Sequence, residues 1–237
     1  MRTLVSSAEL EDLGEGIVLY YTGGRLQEMR CVDIDGLAMC CLGLRVVYEK
    51  FAEEDPDKIG FLADGKTPLR VYRSGKAADV LYGAGTVVLD SYLLRGGMSS
   101  RRRFTLAHET AHYILERHNP VQIACFKREL DTRKNCSAAE LKEVYSVMDA
   151  QADRLAAVLL MPKTAFQSVL AEYTGKKRIP IYGDYTFLPE DKLEMQRAAD
   201  CMGVSFSAFK NRLRELNLLE HHSLQEYLKY NLKLEGK

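Results

Sequence analysis

Each thing this chain of 237 residues lacks removes a class of protein. It carries no excess charge: Lys+Arg and Asp+Glu both number 33. That leaves no global field for nucleic acid or an anionic membrane and excludes a histone-like or polybasic protein. Its six cysteines, Cys31, Cys40, Cys41, Cys125, Cys136 and Cys201, form no C-x-x-C pair, which suits neither a zinc knuckle nor a disulfide ladder. A reduced, cytosolic protein with its thiols mostly in the core is expected. The longest apolar run, Leu155–Met161, is far too short to span a membrane, and the opening residues turn acidic too early for a signal peptide. Repeats and low-complexity stretches are also missing. What remains, 46% hydrophobic and 28% charged, is an ordinary globular chain of one main domain with a small appendix.

Ser6 or Ser7 can cap a first helix over 8–21, with Leu10, Leu13, Ile17 and Tyr21 on one face, although Gly14 and Gly16 are poor helix formers. Asp33 reads as the cap of a short helix that ends at Gly43. Segments 44–50, 59–63, 68–73 and 86–90 read as strands between Gly, Pro and Asp turns, and predict one small sheet. From Ser99 the period becomes helical, as far as about His118, where Asn119–Pro120 stops it. Ser137-Ala-Ala-Glu140 is a capping box for a long helix that ends at Met161–Pro162. Residues 175–190 read as an ordered loop and 191–237 as helical. Strands first and helices later predict an α+β fold, divided into a domain over 1–174 and a loop with a helical subdomain over 175–237.

The most informative residues are His108-Glu109-Thr110-Ala111-His112, on a helix. A four-residue step is about one turn, so both imidazoles leave one face about 6 Å apart along the axis, able to reach one ion at about 2.0–2.1 Å. Glu109 stands beside such an ion, where it can take a proton from the attacking water and return it to the leaving amine. This spacing arises by chance in roughly one sequence of this composition in a hundred. The surrounding Phe-Thr-Leu-Ala…Tyr-Ile-Leu is nearly all apolar or small, and unpartnered histidines would incur desolvation cost there. The reading is a catalytic zinc, which wants three protein ligands and one open position. His118 is followed at once by Asn119–Pro120, and His221 and His222 lie in a charged segment, so a carboxylate from another helix is expected. Asp149 and Asp153 share a face one turn apart, in a stretch where Arg154 is the one other charge, and both are candidates. An exposed Asp pair is the alternative.

The stretches Phe104-Thr105-Leu106-Ala107-His108-Glu109-Thr110-Ala111-His112 and Asp149-Ala150-Gln151-Ala152-Asp153-Arg154, continuing to Met161-Pro162, resemble the ImmA/IrrE family of zinc peptidases, as do Ala199…Gly203-Val204-Ser205…Ala208…Arg212-Leu213…Leu218 and, more loosely, the segment 33–90. The resemblance implies a zincin-like α+β fold with zinc held by His108, His112 and Asp149, and Glu109 as general base. The family's third ligand is a glutamate, so Asp149 is one methylene shorter. Its usual asparagine falls on Asp153, which can accept an imidazole N–H or serve as an alternative ligand. The implied activity is endoproteolysis of a specific regulatory protein, a helix-turn-helix repressor of a mobile element or stress response, expected in a separate chain. The competing class is a non-catalytic or weakly catalytic regulator that binds a repressor or DNA through its C-terminal helices.

Weaker signals complete the reading. The segment 199–216 has the rhythm of a helix-turn-helix, with Lys210, Arg212 and Arg214 on its second helix. Residues 191–237 carry eight Lys/Arg against seven Asp/Glu, a poor phosphate binder, so DNA is the less favoured partner. Arg101-Arg102-Arg103 reads by default as a solvated run, with pairing to an acidic substrate or to acidic residues elsewhere as the alternative. Tyr182, Tyr185 and Arg154 are candidate oxyanion donors. A peptide substrate can add to a sheet edge, with Thr86–Asp90 the nearest strand, unless that strand is internal.

Overall fold

The computed structural model describes residues 5–53, 55, 58–118 and 138–232. They form two compact units, one within 1–24 and 33–160 and the other within 25–32 and 161–237.

The first unit opens with helix α1 (Ser7–Tyr21), whose cap Ser6 accepts the Glu9 N–H through Oγ at 3.2 Å. Asp33 caps α2 (Ile34–Gly36), which runs into a π-helical turn at Leu37–Cys41 and stops before Gly43 at φ +70°. Strands β1 (Arg45–Glu49), β2 (Gly60–Leu62), β3 (Leu69–Arg73), β4 (Lys76–Val80) and β5 (Thr86–Asp90) follow, then the long helices α3 (Ser99–His118) and α4 (Ala138–Leu160). Ser137, the start of the expected capping box, lies outside the described residues.

The strands make two sheets where one was expected. The main sheet has the order β1-β5-β2, with β1 parallel and β2 antiparallel to β5. β3 and β4 form a separate hairpin around Ser74-Gly75, both at positive φ, the requirement of a two-residue type I′ turn. Val47, Val88 and Phe61 stand in one cross-strand row, and with Leu69 and Val71 of the hairpin they form a core on that face. The alternate residues of β5, Val87 and Leu89, point to the other face, where α3 lies with Leu106, Ala107 and Ala111 buried. Strand β5 is therefore internal, and the edges are β1 and β2. Thr86–Asp90 is not an edge to which a peptide can add.

Helix α4 packs against α3 on one side and α1 on the other. Gly14 makes the second contact possible: a Cβ there would stand 2.5 Å from Val158 Cγ1 and 3.0 Å from Val158 Cβ. The glycine that weakens α1 as a sequence is what lets it approach α4.

The second unit contains α5 (Lys163–Thr174), β6 (Ile179–Tyr182), α6 (Pro189–Met202), α7 (Phe206–Glu215), β7 (Leu219–His222) and α8 (Leu224–Asn231). β6 and β7 pair in parallel, so 175–190 is not all loop and 191–237 is not all helix. Phe166 packs on Phe209 at 4.6 Å between ring centroids. Arg212 is completely buried, donating from Nε to the Met161 carbonyl at 3.0 Å and from Nη1 to Glu215 at 3.2 Å. Of the three cations expected on this helix, only Lys210 and Arg214 can meet a phosphate.

The thiols depart from expectation as well. Cys31 and Cys40 are exposed and Cys41 and Cys201 half-buried, because they sit on turns and helix ends; Cys125 and Cys136 lie outside the described residues. No helix among the described residues is long and apolar enough to cross a membrane.

Candidate metal centre

Helix α3 starts under three arginines that its dipole disfavours, and each finds compensation elsewhere. Arg102 forms a bidentate pair with Asp35 at 2.7 and 2.9 Å and donates to Tyr48 Oη at 2.9 Å. The hydrogen bond from Arg102 keeps Asp35 below the ordinary carboxylate range. Arg101 stands over the Tyr92 ring at 5.6 Å, and Arg103 is buried. Only Arg101 stays exposed, and Arg102 ties the start of α3 to α2 and β1.

One turn further along, His108 and His112 leave the same face, with their Nε2 atoms 3.0 Å apart. Asp149 of α4 places Oδ1 3.4 Å from His112 Nε2, and the donor atoms of all three residues lie within 4.8 Å of one another. Two ligands at 2.0–2.1 Å from one tetrahedral ion stand about 3.3 Å apart. The 3.0 and 3.4 Å separations match that value, and the three residues could hold a single divalent ion.

Asp153 has a different place. Its Oδ1 lies 2.8 Å from His108 Nδ1. A carboxylate only accepts, so Nδ1 carries the proton and the Nε2 lone pair is turned toward the cluster. Burial opposes a charge on His108, but the Asp153 hydrogen bond and the neighbouring carboxylates of Glu109 and Asp149 outweigh it and raise its pKa. Burial, then the adjacent His108, lower that of His112. Asp153→Ala is expected to weaken zinc binding by about 10–100-fold while leaving one ion per chain, measured by competition with a chelator.

Both aspartates are more than half exposed, at 57% and 56% of their side chains. They sit at the rim of an open cleft, so the argument from buried charge fails here and convergence on the two imidazoles replaces it.

Glu109 lies deeper in the same cleft and is 8% exposed. It is held by β2. Because the Ile59 carbonyl and the Ala63 N–H pair with β5, the alternation of the ladder turns the main-chain groups of Gly60 and Leu62 toward the open edge. The Leu62 N–H donates to the Glu109 carboxylate. Gly60 leaves it room: a Cβ there would run into Glu109 Oε1 and lie 2.7 Å from Thr105 Cγ2. Burial pushes Glu109 up to about 7, with Asp149 adding to the rise, while His108, the Leu62 amide and Lys58 hold it down.

Together β2, α3 and α4 enclose a cleft of about 760 Å³. Its apolar walls include Phe61, Phe104 and Met148, and Lys58 stands at its mouth beside Glu53 at 2.9 Å. Sequence reasoning brought His108, Glu109, His112, Asp149 and Asp153 together and missed Gly60 and Leu62. The short turn-flanked strand was legible, but its partnership with a residue on α3 was not. Of the oxyanion candidates, Tyr182 is buried against His222 and Tyr227 and Tyr185 is exposed, both in the second unit. Arg154 is half-buried on α4.

An α+β chain in which two imidazoles and a carboxylate converge at the rim of a cleft, above a buried glutamate, has the makings of a metal-dependent hydrolase. Residues 40–214, about three quarters of the chain, match the model of the peptidase M78 family, the IrrE N-terminal-like domain, and the chain belongs to that family. Membership carries a metallopeptidase-type role, a metal and a protein substrate. No curated protein matches the chain.

Proposed function

We propose that the protein is a zinc-dependent endopeptidase whose first unit is a zincin-like domain and whose substrate is a regulatory protein of the repressor type. The observation that carries the reading is the convergence of one ligand atom each from His108, His112 and Asp149 within 4.8 Å, with Glu109 on the same helix one residue from a ligand. The substrate class rests on the family resemblance.

His108, His112 and Asp149 would hold the ion. When bound, zinc supplies Lewis acidity, polarising a carbonyl and making a water acidic enough to lose a proton near neutral pH. Glu109 would take up a proton from the attacking water at its carboxylate and pass it to the departing amine. The Leu62 amide steadies the carboxylate through the cycle. Asp153 fixes the ring and tautomer of His108. An extended substrate segment has an edge to lie along in β2, whose Gly60 groups face the cleft.

Elemental analysis of purified wild type and Asp149→Ala tests this reading. One zinc per chain in the wild type, held far more weakly after the substitution, is expected. Stoichiometric zinc untouched by Asp149→Ala would move the third ligand elsewhere, and no zinc after reconstitution would remove the peptidase reading.

A further inference from the structure

We infer that α1 is a clamp that positions Asp149 for the metal: through Gly14 and through the main chain at Val5 it sets the depth and rotation of α4. The inference rests on the proposed metal centre and concerns residues that touch neither ligand nor substrate.

Helix α4 has two opposed stripes. At 100° per residue, Gln151, Leu155 and Val158 fall within about 60° of one another, and Asp149 and Asp153 lie about 160–200° round from Gln151. The carboxylate stripe meets the histidines of α3. The opposite stripe meets the N-terminal segment at two points. Gln151 is buried and donates from Nε2 to the Val5 carbonyl at 2.8 Å. Val158 and Leu155, both fully buried, pack onto the bare Cα of Gly14.

The tolerances differ sharply across the helix. Metal–ligand distances allow about 0.2 Å. A methyl group at position 14 would stand 2.5 Å from Val158 Cγ1, where ordinary contact begins at 3.4 Å, so relief requires a shift of about 0.9 Å. Rotating the valine does not supply it, because Val158 Cβ is itself 3.0 Å away and a helical valine has one strongly preferred rotamer. The short Asp side chain has little reach with which to follow a displaced backbone. A disturbance on one stripe therefore appears on the other as a lost ligand.

The test measures zinc affinity of the full chain by chelator competition and the visible spectrum of the cobalt-substituted protein. Gly14→Ala is expected to weaken zinc binding tenfold or more and to move the cobalt spectrum toward that of Asp149→Ala. Gly14→Ala/Val158→Ala, which removes the 2.5 Å collision and leaves the tight contact with Cβ at 3.0 Å, is expected to recover part of both. Gln151→Leu is expected to weaken binding through its lost anchor. Val71→Ala, which loosens the hairpin core away from α4, serves as a destabilised control and is expected to keep wild-type affinity. A folded Gly14→Ala protein with wild-type affinity and spectrum overturns the inference. If Gly14→Ala does not fold, wild-type affinity in folded Gln151→Leu overturns it instead. A wild type that takes up no zinc removes the metal centre itself, a result distinct from either.

Discussion

Glu109→Gln is expected to retain one zinc per chain and the wild-type fold, and to lose proteolysis by about 10²–10⁴-fold. Glutamine preserves the shape of the side chain, and its Oε1 still accepts the Leu62 N–H, so the cradle on β2 stays occupied. What is lost is the ability to take up and release a proton. The measurement pairs turnover of any protein the wild type cleaves with zinc content and far-ultraviolet circular dichroism. Loss of cleavage with zinc and fold intact assigns the proton transfer to Glu109. Cleavage at the wild-type rate contradicts it. Equal regulatory effect by wild type and variant, without cleavage, favours the binding regulator.

The same substitution carries a second large effect, on the stability of the metal-free protein. A carboxyl group raised from about 4.5 to about 7 in the folded state holds a proton there that the unfolded chain has already released. Between those values the native state binds more protons, so stability falls as pH rises through the window, and above about 7 the full penalty is present. A shift of this size corresponds to about 3 kcal/mol. Metal-free Glu109→Gln is therefore expected to be more stable than metal-free wild type by up to about 3 kcal/mol at pH 8, and no more stable at pH 4. Urea unfolding in the presence of a chelator at the two pH values checks this. Equal stability at pH 8 would mean that burial does not penalise the carboxylate. Added zinc, whose charge favours the ionised glutamate, is expected to narrow the gap.

How much of this was legible in the sequence depended on how far each interaction reaches along the chain. His108, Glu109 and His112 were readable because one helix turn decides their arrangement. Asp149 and Asp153 were readable from the residues as a pair on one face; their division into ligand and imidazole acceptor came only with the family resemblance, since which imidazole each carboxylate faces is decided across two helices. The partners of the arginine run were not legible because Asp35, Tyr48 and Tyr92 come from segments read separately. Strand β4, Lys76–Val80, has little of the β-branched character that marks a strand; the Ser74-Gly75 turn was the signal that could have revealed it. β6 holds a proline and β7 two histidines, and their parallel pairing joins residues about forty positions apart. Gly14 was noted as a weakness of α1, which it is for an isolated helix; its use becomes visible only with Val158 beside it.

The Leu62 contact carries a consequence for how this chain can vary. The group that steadies Glu109 is a main-chain amide, which every amino acid but proline possesses. The contact itself therefore does not depend on which side chain stands at position 62, and an inventory of side chains would pass over it. Its neighbour Gly60 has no such freedom, for there the space left by an absent side chain is what the glutamate occupies.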